Sequence, residues 1–359
     1  MSVALHDLDI PAGTDRSDGL VRVWLWTVAL LVVAIVVVGG ATRLTDSGLS
    51  ITEWAPIRGM LPPLDAADWA AEFELYRRTT EYQTVNRGMS LADFQFIYWW
   101  EWGHRFLARA VGLVFALPLA FFWITGRLTP YLKPRLLVLL VLGGLQGFIG
   151  WWMVKSGLVD RVDVSQYRLA AHLTMASVIF AVAVWLAASI GRASSGGPRA
   201  LAWQAAGITL LILAQIAMGA FVAGLDAGLA YNTWPLMDGA LVPSNLFPGG
   251  GPLSGSFDDV KSVQFLHRML AYIVWAAAML HAVSVWLHAD GAVFRKGALV
   301  IALLVSAQAL MGVVTLVLAV PMSWALAHQV GAIVVLGAAV LHLRSLVPAT
   351  APRPYPVAA

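Results

Sequence analysis

The sequence of 359 residues contains no cysteine. Disulfides, iron–sulfur clusters, thiolate metal sites and cysteine redox chemistry are therefore excluded, and any metal must be held by histidine, methionine or carboxylate side chains. Charged residues are scarce, at 12% of the chain, whereas soluble domains carry about 25%. No basic run of the kind that binds nucleic acid is present. An ordinary soluble fold is therefore excluded.

Apolar sequence, by contrast, is abundant, since hydrophobic residues make up 59% of the chain. Eight apolar runs have about the 20 residues that cross the hydrocarbon of a bilayer. They lie at 21–42, 99–125, 135–155, 168–190, 201–224, 263–288, 297–320 and 323–347. The sequence therefore predicts an all-α integral membrane protein with eight transmembrane helices. Pro321 alone separates the last two runs, which predicts a tight hairpin.

The distribution of charge predicts the orientation. Lysine and arginine collect in the short loops on the side of the termini, while most acids lie in two long loops, about 44–98 and 225–262. The positive-inside rule then places both termini in the cytoplasm. The first 20 residues, which include four aspartates, resemble neither a secretory signal nor a transit peptide. We expect a multi-pass protein of a bacterial inner membrane, with one or two amphipathic surface helices in 65–95.

The chain contains an internal repeat. Six residues of the first long loop recur in the second at an offset of 180: Asp46, Gly48, Leu49, Trp54, Gly59 and Pro63 match Asp226, Gly228, Leu229, Trp234, Gly239 and Pro243. Further matches follow in the same order through the other spans. Because each half has four spans, both insert with the same orientation. The predicted fold is two tandem pseudo-symmetric four-helix bundles, 21–190 and 201–347, joined by a linker at 191–200 and flanked by tails 1–20 and 348–359.

Four histidines occupy matched positions in this repeat: His104, His172, His267 and His328. Each half carries two, on its second and fourth spans, and opposed imidazoles in a four-helix bundle typically hold a haem iron. An alanine follows each at i+4, on the face where a flat porphyrin needs room. The alternative is four hydrogen-bonded packing residues. The remaining histidines in the spans, at 281, 288 and 342, lack the pattern and are expected at the interface or in hydrogen bonds.

The halves differ at one position beside these histidines. Glu101 precedes His104 by three residues and shares its helix face, whereas the equivalent residue is Gln264, which cannot ionise. A carboxylate near an iron ligand can transfer protons or stabilise a cation, and the alternative is a salt bridge to Arg105 or Arg109. This asymmetry predicts that chemistry takes place in the N-terminal half and that the C-terminal half holds a redox-only haem.

Long motifs in both halves resemble those of the haem A synthase family, in its cysteine-free alphaproteobacterial and mitochondrial branch. They run from Gly39 to Trp54 (GGATRLTDSGLSITEW), from Pro56 to Pro63 (PIRGMLPP) and from Phe96 to Arg105 (FIYWWEWGHR). The second half supplies NTWPLMD at 232–238 and QFLHR at 264–268, with His328 after Ala327. The resemblance covers about 20–347.

The resemblance implies an activity, the oxidation of the C8 methyl group of haem O to the formyl group of haem A by successive hydroxylations, for cytochrome c oxidase. It implies that His267 and His328 bind a haem b cofactor, that His104 and His172 hold the substrate haem, and that Glu101 acts in catalysis. Haem O, the lipid bilayer, haem O synthase, an unidentified electron partner and a second copy of the chain are the expected partners.

Arginines near the predicted haem sites are candidates for propionate binding, because guanidinium pairs bidentately with carboxylate. Arg105 and Arg268 directly follow ligand candidates, and Arg43 or Arg58 lies in a segment, 43–63, expected to cap the substrate haem. Tyr231–Pro243 would cap the other haem. Interfacial snorkelling and a structured turn are the alternatives.

Two other functions fit the same histidines. One is a dihaem cytochrome b that exchanges electrons with quinone, and the other is a haem transporter or chaperone. The parallel repeat speaks against transport, since alternating-access transporters commonly use inverted repeats. Loss of haem A formation on substitution of Glu101 discriminates the enzyme from a plain cytochrome.

Overall fold

The computed structural model describes residues 16–55, 58–158, 161–191, 196–248 and 255–348. In these ranges the chain forms ten α-helices and no sheet. They are α1 (Arg16–Leu44), α2 (Ala66–Tyr76), α3 (Thr80–Thr84), α4 (Leu91–Ile124), α5 (Leu132–Gly157), α6 (Gln166–Ser189), α7 (Arg199–Gly224), α8 (Val260–His288), α9 (Ala292–Val317) and α10 (Met322–Leu346). The predicted tails outside 16–348 and the centre of the predicted linker, 192–195, lie outside the described residues.

Eight of these helices, all except α2 and α3, are long and apolar enough to cross a membrane. The prediction of an all-α protein with eight transmembrane helices is therefore confirmed. Helix α4 begins eight residues before the predicted start at 99. Ser90 and Asp93 form a capping box at its start, and Phe94, Ile97 and Tyr98 of the extension are buried in the cluster of the first long loop, so the helix begins before the apolar run. A search for apolar runs alone misses such an extension.

The two short helices belong to the first long loop, which confirms the predicted surface helices in 65–95. Asp65 caps α2 by accepting a hydrogen bond from the backbone N–H of Asp68 at 2.8 Å. A compact aromatic cluster packs these helices on the extension of α4. Its buried members are Ile51, Tyr76, Tyr82, Phe94, Ile97 and Tyr98. This cluster fixes the loop above the N-terminal half of the protein.

The long helices repeat one set of neighbours in each half. In the N-terminal half α1 contacts α4 and α6, and in the C-terminal half α7 contacts α8 and α10. The halves meet through α1, α6, α7 and α10, and one hydrophobic core runs across both. The neighbours agree with two four-helix bundles, although the core does not divide at the predicted linker. We call the end that carries both long loops the long-loop face.

The turns at this face show the repeat in backbone detail. Asp46 and Asp226, which follow α1 and α7, share the left-handed conformation with φ of +48°. Aspartate tolerates this conformation better than most residues. Between α9 and α10, Ala319 and Val320 are also left-handed, and Met322 already begins the next helix. The predicted tight hairpin at Pro321 is confirmed.

Candidate haem sites

The two histidines of the N-terminal half each face a glycine on a neighbouring helix. A Cβ atom placed on Gly39 would lie 3.0 Å from Nε2 of His104, and one placed on Gly150 would lie 2.9 Å from Cε1 of His172. Such distances are at or below the limit of real Cβ contacts, so only glycine lets the rings stand there. His104 and His172 also lie within electrostatic range of each other. The structure therefore brings this predicted pair together.

The C-terminal half repeats the arrangement. A Cβ atom on Gly219 would lie 3.3 Å from Cε1 of His267, and one on Gly312 would lie 2.8 Å from Cε1 of His328. His267 and His328 lie within electrostatic range of each other. Because Gly39 matches Gly219, and Gly150 matches Gly312, in the sequence repeat, the halves form two equivalent histidine pairs.

Three of the four rings also contact a glutamine. The Nε2 atoms of Gln146, Gln215 and Gln308 each lie 3.1 Å from Nδ1 of a histidine: His172, His267 and His328, respectively. Each glutamine also donates to the backbone carbonyl of the same histidine. The three Oε1 atoms are buried, and none has a hydrogen-bond partner in the described ranges. Glutamines in apolar helices signal buried polar contacts, but the sequence does not show which ring each would meet.

These residues fit a haem with two axial imidazoles in each half. The four histidines are partly exposed rather than fully buried. The facing glycines leave space beside the rings that the Cβ atom of any other residue would occupy. Nitrogen donors suit haem iron. In the described ranges no three His, Asp or Glu side chains cluster as a metal site. A mononuclear site with carboxylate ligands is therefore a poorer fit.

Arg105 and Arg268 bind the long loops in the same way. Arg105 donates to the carbonyls of Ile51 and Glu53 at 2.8 and 3.1 Å. Arg268 donates to the carbonyls of Tyr231 and Thr233 at 2.8 and 2.9 Å. These loop positions are equivalent in the repeat. Each arginine therefore ties its long loop to the helix that carries a candidate haem ligand.

Glu101 completes this link in the N-terminal half. Its Oε1 accepts from Nη2 of Arg105 at 2.6 Å, and its Oε2 accepts from Ser50 Oγ at 2.8 Å and from the Ile51 N–H at 2.7 Å. The carboxylate is buried, with 2% of the residue exposed. The salt bridge weighed for Glu101 is thus present, to Arg105.

Gln264 occupies the equivalent place in the C-terminal half, but it donates hydrogen bonds to the loop, whereas Glu101 accepts them. Its Nε2 donates to the carbonyls of Ala227 and Tyr231, and its Oε1 accepts from Arg268 at 3.3 Å. Both halves therefore anchor the loop through this position. Only the N-terminal half does so with a carboxylate.

A family model described as cytochrome oxidase assembly protein matches residues 22–340. The chain is 54% identical over 329 residues to the haem A synthase of Chelativorans sp. (strain BNC1), which covers 90% of each chain. It is 51% identical over 336 residues to that of Sinorhizobium medicae (strain WSM419), covering 93% of this chain and 92% of the relative. The chain belongs to the haem A synthase family.

Membership of the haem A synthase family makes the chain a multi-pass inner-membrane oxidoreductase of haem A biosynthesis. A plain dihaem cytochrome b, the alternative kept open by the sequence, finds no support among the relatives. The resemblance predicted from the motifs is confirmed.

Arg43, another predicted propionate contact of this haem A synthase family member, makes ion pairs at the long-loop face. Arg43 lies at the end of α1, and its Nη2 donates to both carboxylate oxygens of Asp226 at 2.9 Å. Asp46 and Asp163 also lie within 2.8 and 3.8 Å of the guanidinium. Arg43 therefore bridges the two halves at the long-loop face. The side chain of Arg58, the other candidate, lies outside the described residues.

A second histidine pair was missed by the sequence interpretation. His281 and His342 lie on α8 and α10, fourteen residues beyond the two candidate ligands, and their Nε2 atoms are 2.9 Å apart. Nδ1 of His281 also lies 3.0 Å from Oε1 of Gln204. Both histidines are buried, so the hydrogen-bonded alternative is correct for them. The sequence did contain a signal for this pair, because each histidine follows a candidate ligand by fourteen residues on its helix. At the corresponding positions the N-terminal half has Pro118 and Leu186 instead of histidines.

Proposed function

We propose that this chain oxidises the C8 methyl group of haem O to the formyl group of haem A in its N-terminal half. Two hydroxylations convert the methyl group to a gem-diol, which loses water to leave the formyl group. The observation that carries the assignment is the contrast between the halves. They share histidines, glycines and loop-binding arginines, but within the described ranges a buried carboxylate, that of Glu101, accompanies the candidate ligands of the N-terminal half only, and Gln264 takes its place in the other half.

In this proposal His104 and His172 are the axial ligands of the substrate haem, and His267 and His328 hold haem b. When bound, haem b supplies one-electron transfer. The support is chemical: paired imidazoles in glycine cradles suit haem iron, and the non-ionisable Gln264 suits a site that only passes electrons. The domain assignment follows, with the substrate site in 21–190 and the haem b site in 201–347.

Glu101 acts as a fixed negative charge beside the substrate. Three donors hold its two oxygens, and all three contacts suit an ionised, acceptor-only carboxylate. A charge held this way stabilises positive charge that develops on the substrate without rearranging. This role is favoured over proton transfer, because a transferring carboxyl needs an open oxygen. The same contacts keep the loop over the site and exclude water.

The arginines have a second role at the haem edges. Nε of Arg268 is buried without a hydrogen-bond partner in the described ranges, although its two other nitrogens bind the loop. This donor suits a propionate of the C-terminal haem. Arg105 serves the N-terminal haem in the equivalent position. The Nη atoms of Arg43 bind carboxylates and fix the loop, while its Nε, which is also buried without a hydrogen-bond partner in the described ranges, suits a propionate of the N-terminal haem.

The orientation in the membrane and the partners follow from the charge distribution and the substrate. Both termini lie in the cytoplasm, so the long-loop face is external, as the acid-rich long loops support. Haem O carries a long apolar tail and enters from the bilayer. A haem O synthase delivers it, and an electron partner exchanges electrons with haem b. A second copy of the chain is a further candidate partner.

Co-expression with a source of haem O tests the activity. Extraction and chromatography of total haem should reveal haem A when the wild-type chain is present and haem O alone when it is absent. A chain that carries haem b but yields no haem A would contradict the proposal and favour the dihaem cytochrome.

A further inference from the structure

The two halves differ in how their second and third spans pack. In the C-terminal half α8 and α9 are close neighbours, whereas α4 and α5, their equivalents, make few contacts. No residue between Glu101 and Phe115 of α4, and none between Leu139 and Gly157 of α5, is buried, and the structure describes every residue of both stretches. Helices α4 and α5 therefore stand apart in the part of the bundle that carries His104.

One pair of positions shows why the two halves differ. Trp275 of α8 donates its indole N–H to the hydroxyl oxygen of Ser306 of α9 at 3.1 Å, and so bridges the two helices. The offset of 163 that relates the first candidate histidines of the two halves places Gly112 at the position of Trp275. The offset of 162 that relates the glutamines of α5 and α9 places Gly144 at the position of Ser306. A Cβ atom on either glycine would meet nothing within 4 Å, so the N-terminal half lacks this bridge.

The opening between α4 and α5 is continuous with the candidate haem site. Gly143 of α5 takes the position of Val305 of α9, which is buried in the core, yet a Cβ atom on Gly143 would meet nothing within 4 Å. Gly143 lies two helical turns from Gly150, on the same side of α5, and Gly150 faces the ring of His172. The opening therefore begins beside this ring and extends about 10 Å along α5 into the membrane.

The walls of the opening are apolar. Residues 110–124 of α4 and 136–154 of α5 contain no lysine, arginine, aspartate or glutamate. Around it Leu113, Leu117 and Phe148 are at least half exposed, as side chains that face lipid would be. An opening of this kind suits a hydrocarbon chain and does not suit a charged group.

We propose that the opening between α4 and α5 holds the apolar tail of haem O, so that the ring lies between His104 and His172 while the tail extends into the bilayer. The inference rests on the proposed function and names the part of the site that distinguishes haem O from a haem without a tail. The bridge between Trp275 and Ser306 closes the same path in the C-terminal half. That half therefore accepts haem b and excludes haem O.

Transfer of the bridge to the N-terminal half tests the inference. The purified protein that carries haem b in its C-terminal half is titrated with haem O and with protohaem, which lacks the tail. In Gly112→Trp/Gly144→Ser the dissociation constant of haem O should rise about tenfold, because the new side chains fill the path of the tail. The constant of protohaem and the content of haem b should stay at their wild-type values. Gly112→Ala/Gly144→Ala should cause a smaller rise for haem O alone.

Leu117→Trp is the matched control, since it adds the same ring to an exposed position on another face of α4 and should leave both constants unchanged. An equal loss of affinity for both haems in Gly112→Trp/Gly144→Ser would overturn the inference. Unchanged constants with an altered oligomeric state in detergent would also overturn it, because a second copy of the chain would then fill the opening. Haem A formation by the wild-type chain reports separately on the proposed function. If the wild type forms haem A and the bridged variant keeps its affinity for haem O, only the inference fails.

Discussion

The carboxylate of Glu101 lies 2.6 Å from Nη2 of Arg105, one helical turn further along α4. Both side chains also bind the first long loop at Ile51, through its N–H and its carbonyl. The pair therefore joins a candidate haem ligand, His104, to the loop above it. Substitution of Glu101 will therefore have two effects, the loss of a negative charge and the loss of a contact with the loop, and suitable variants separate them.

Glu101→Gln should abolish the charge while keeping a side chain that fits, since Gln264 occupies the equivalent place. We expect haem A formation to fall by about 10²-fold, the usual loss when a preorganised electrostatic contact is removed. Haem b content should be unchanged. Haem chromatography after co-expression measures both. Gln264→Ala, which weakens a loop anchor without removing a charge, is the matched control and should keep haem A formation. Equal losses in the two variants would make Glu101 purely structural.

Gly150→Ala should weaken binding of the substrate haem. The new Cβ would lie 2.9 Å from Cε1 of His172, so the ring must move. Overpacking costs about 1–3 kcal/mol, which corresponds to about 5- to 150-fold in affinity. Gly147→Ala lies on the same helix with no atom within 4 Å of its Cβ and is the control. Titration of the haem-depleted protein with haem O gives the two dissociation constants. Equal constants would remove His172 from the site.

The first long loop contains a carboxyl group that should make stability depend on pH. Burial raises the pKa of Glu81 to about 8 from an unperturbed value of 4.5. Because the folded state holds this proton more tightly than the unfolded state, its stabilisation is fully present below pH 4.5 and is lost as the pH rises through about 8.

The thermal midpoint of the detergent-solubilised protein should therefore fall between pH 6 and pH 9, and Glu81→Gln should reduce that fall. Glu74→Gln serves as the control, because Glu74 is exposed and pairs with Arg77 on the surface. If both variants retain the wild-type slope, the Glu81 carboxyl does not control the pH dependence.

Arg43 and Asp226 should couple energetically across the two halves. Both single substitutions, Arg43→Gln and Asp226→Asn, should lower stability, and the double variant should lose less than the sum. A coupling of about 1 kcal/mol is expected for a pair with one exposed partner. Chemical denaturation of the four proteins provides the cycle. Additive losses would show that Arg43 stabilises the protein through another contact, such as a haem propionate.

Sequence patterns predicted the eight spans, the repeat and the four histidines because each depends on periodicity or spacing along one chain. The start of α4 at Leu91 was missed, because the search for membrane-length apolar runs does not report a helix start that is set by a capping box, here Ser90 with Asp93. The glutamine contacts of His172, His267 and His328 were missed for another reason. They join different helices, and no spacing in the sequence reports which faces meet.

The arginines show the same limit. Arg105 and Arg268 directly follow histidines and were therefore candidates for propionates, but a guanidinium also binds backbone carbonyls of segments that are distant along the chain. The structure adds those carbonyls, at Ile51 and Tyr231. It also shows that Arg43 meets an acid of the other half, Asp226, which only the packing of α1 near α7 could reveal.

The haem content of two purified variants, His172→Ala and His328→Ala, tests most directly how the two haems are divided between the halves. His342→Ala serves as the control, because His342 lies on the same helix as His328. Chromatography of haem extracted after co-expression with a haem O source should find haem b but no haem O or haem A in His172→Ala. It should find haem O but no haem b in His328→Ala, and the wild-type set in His342→Ala. Loss of the same haem from both ligand variants would contradict the account.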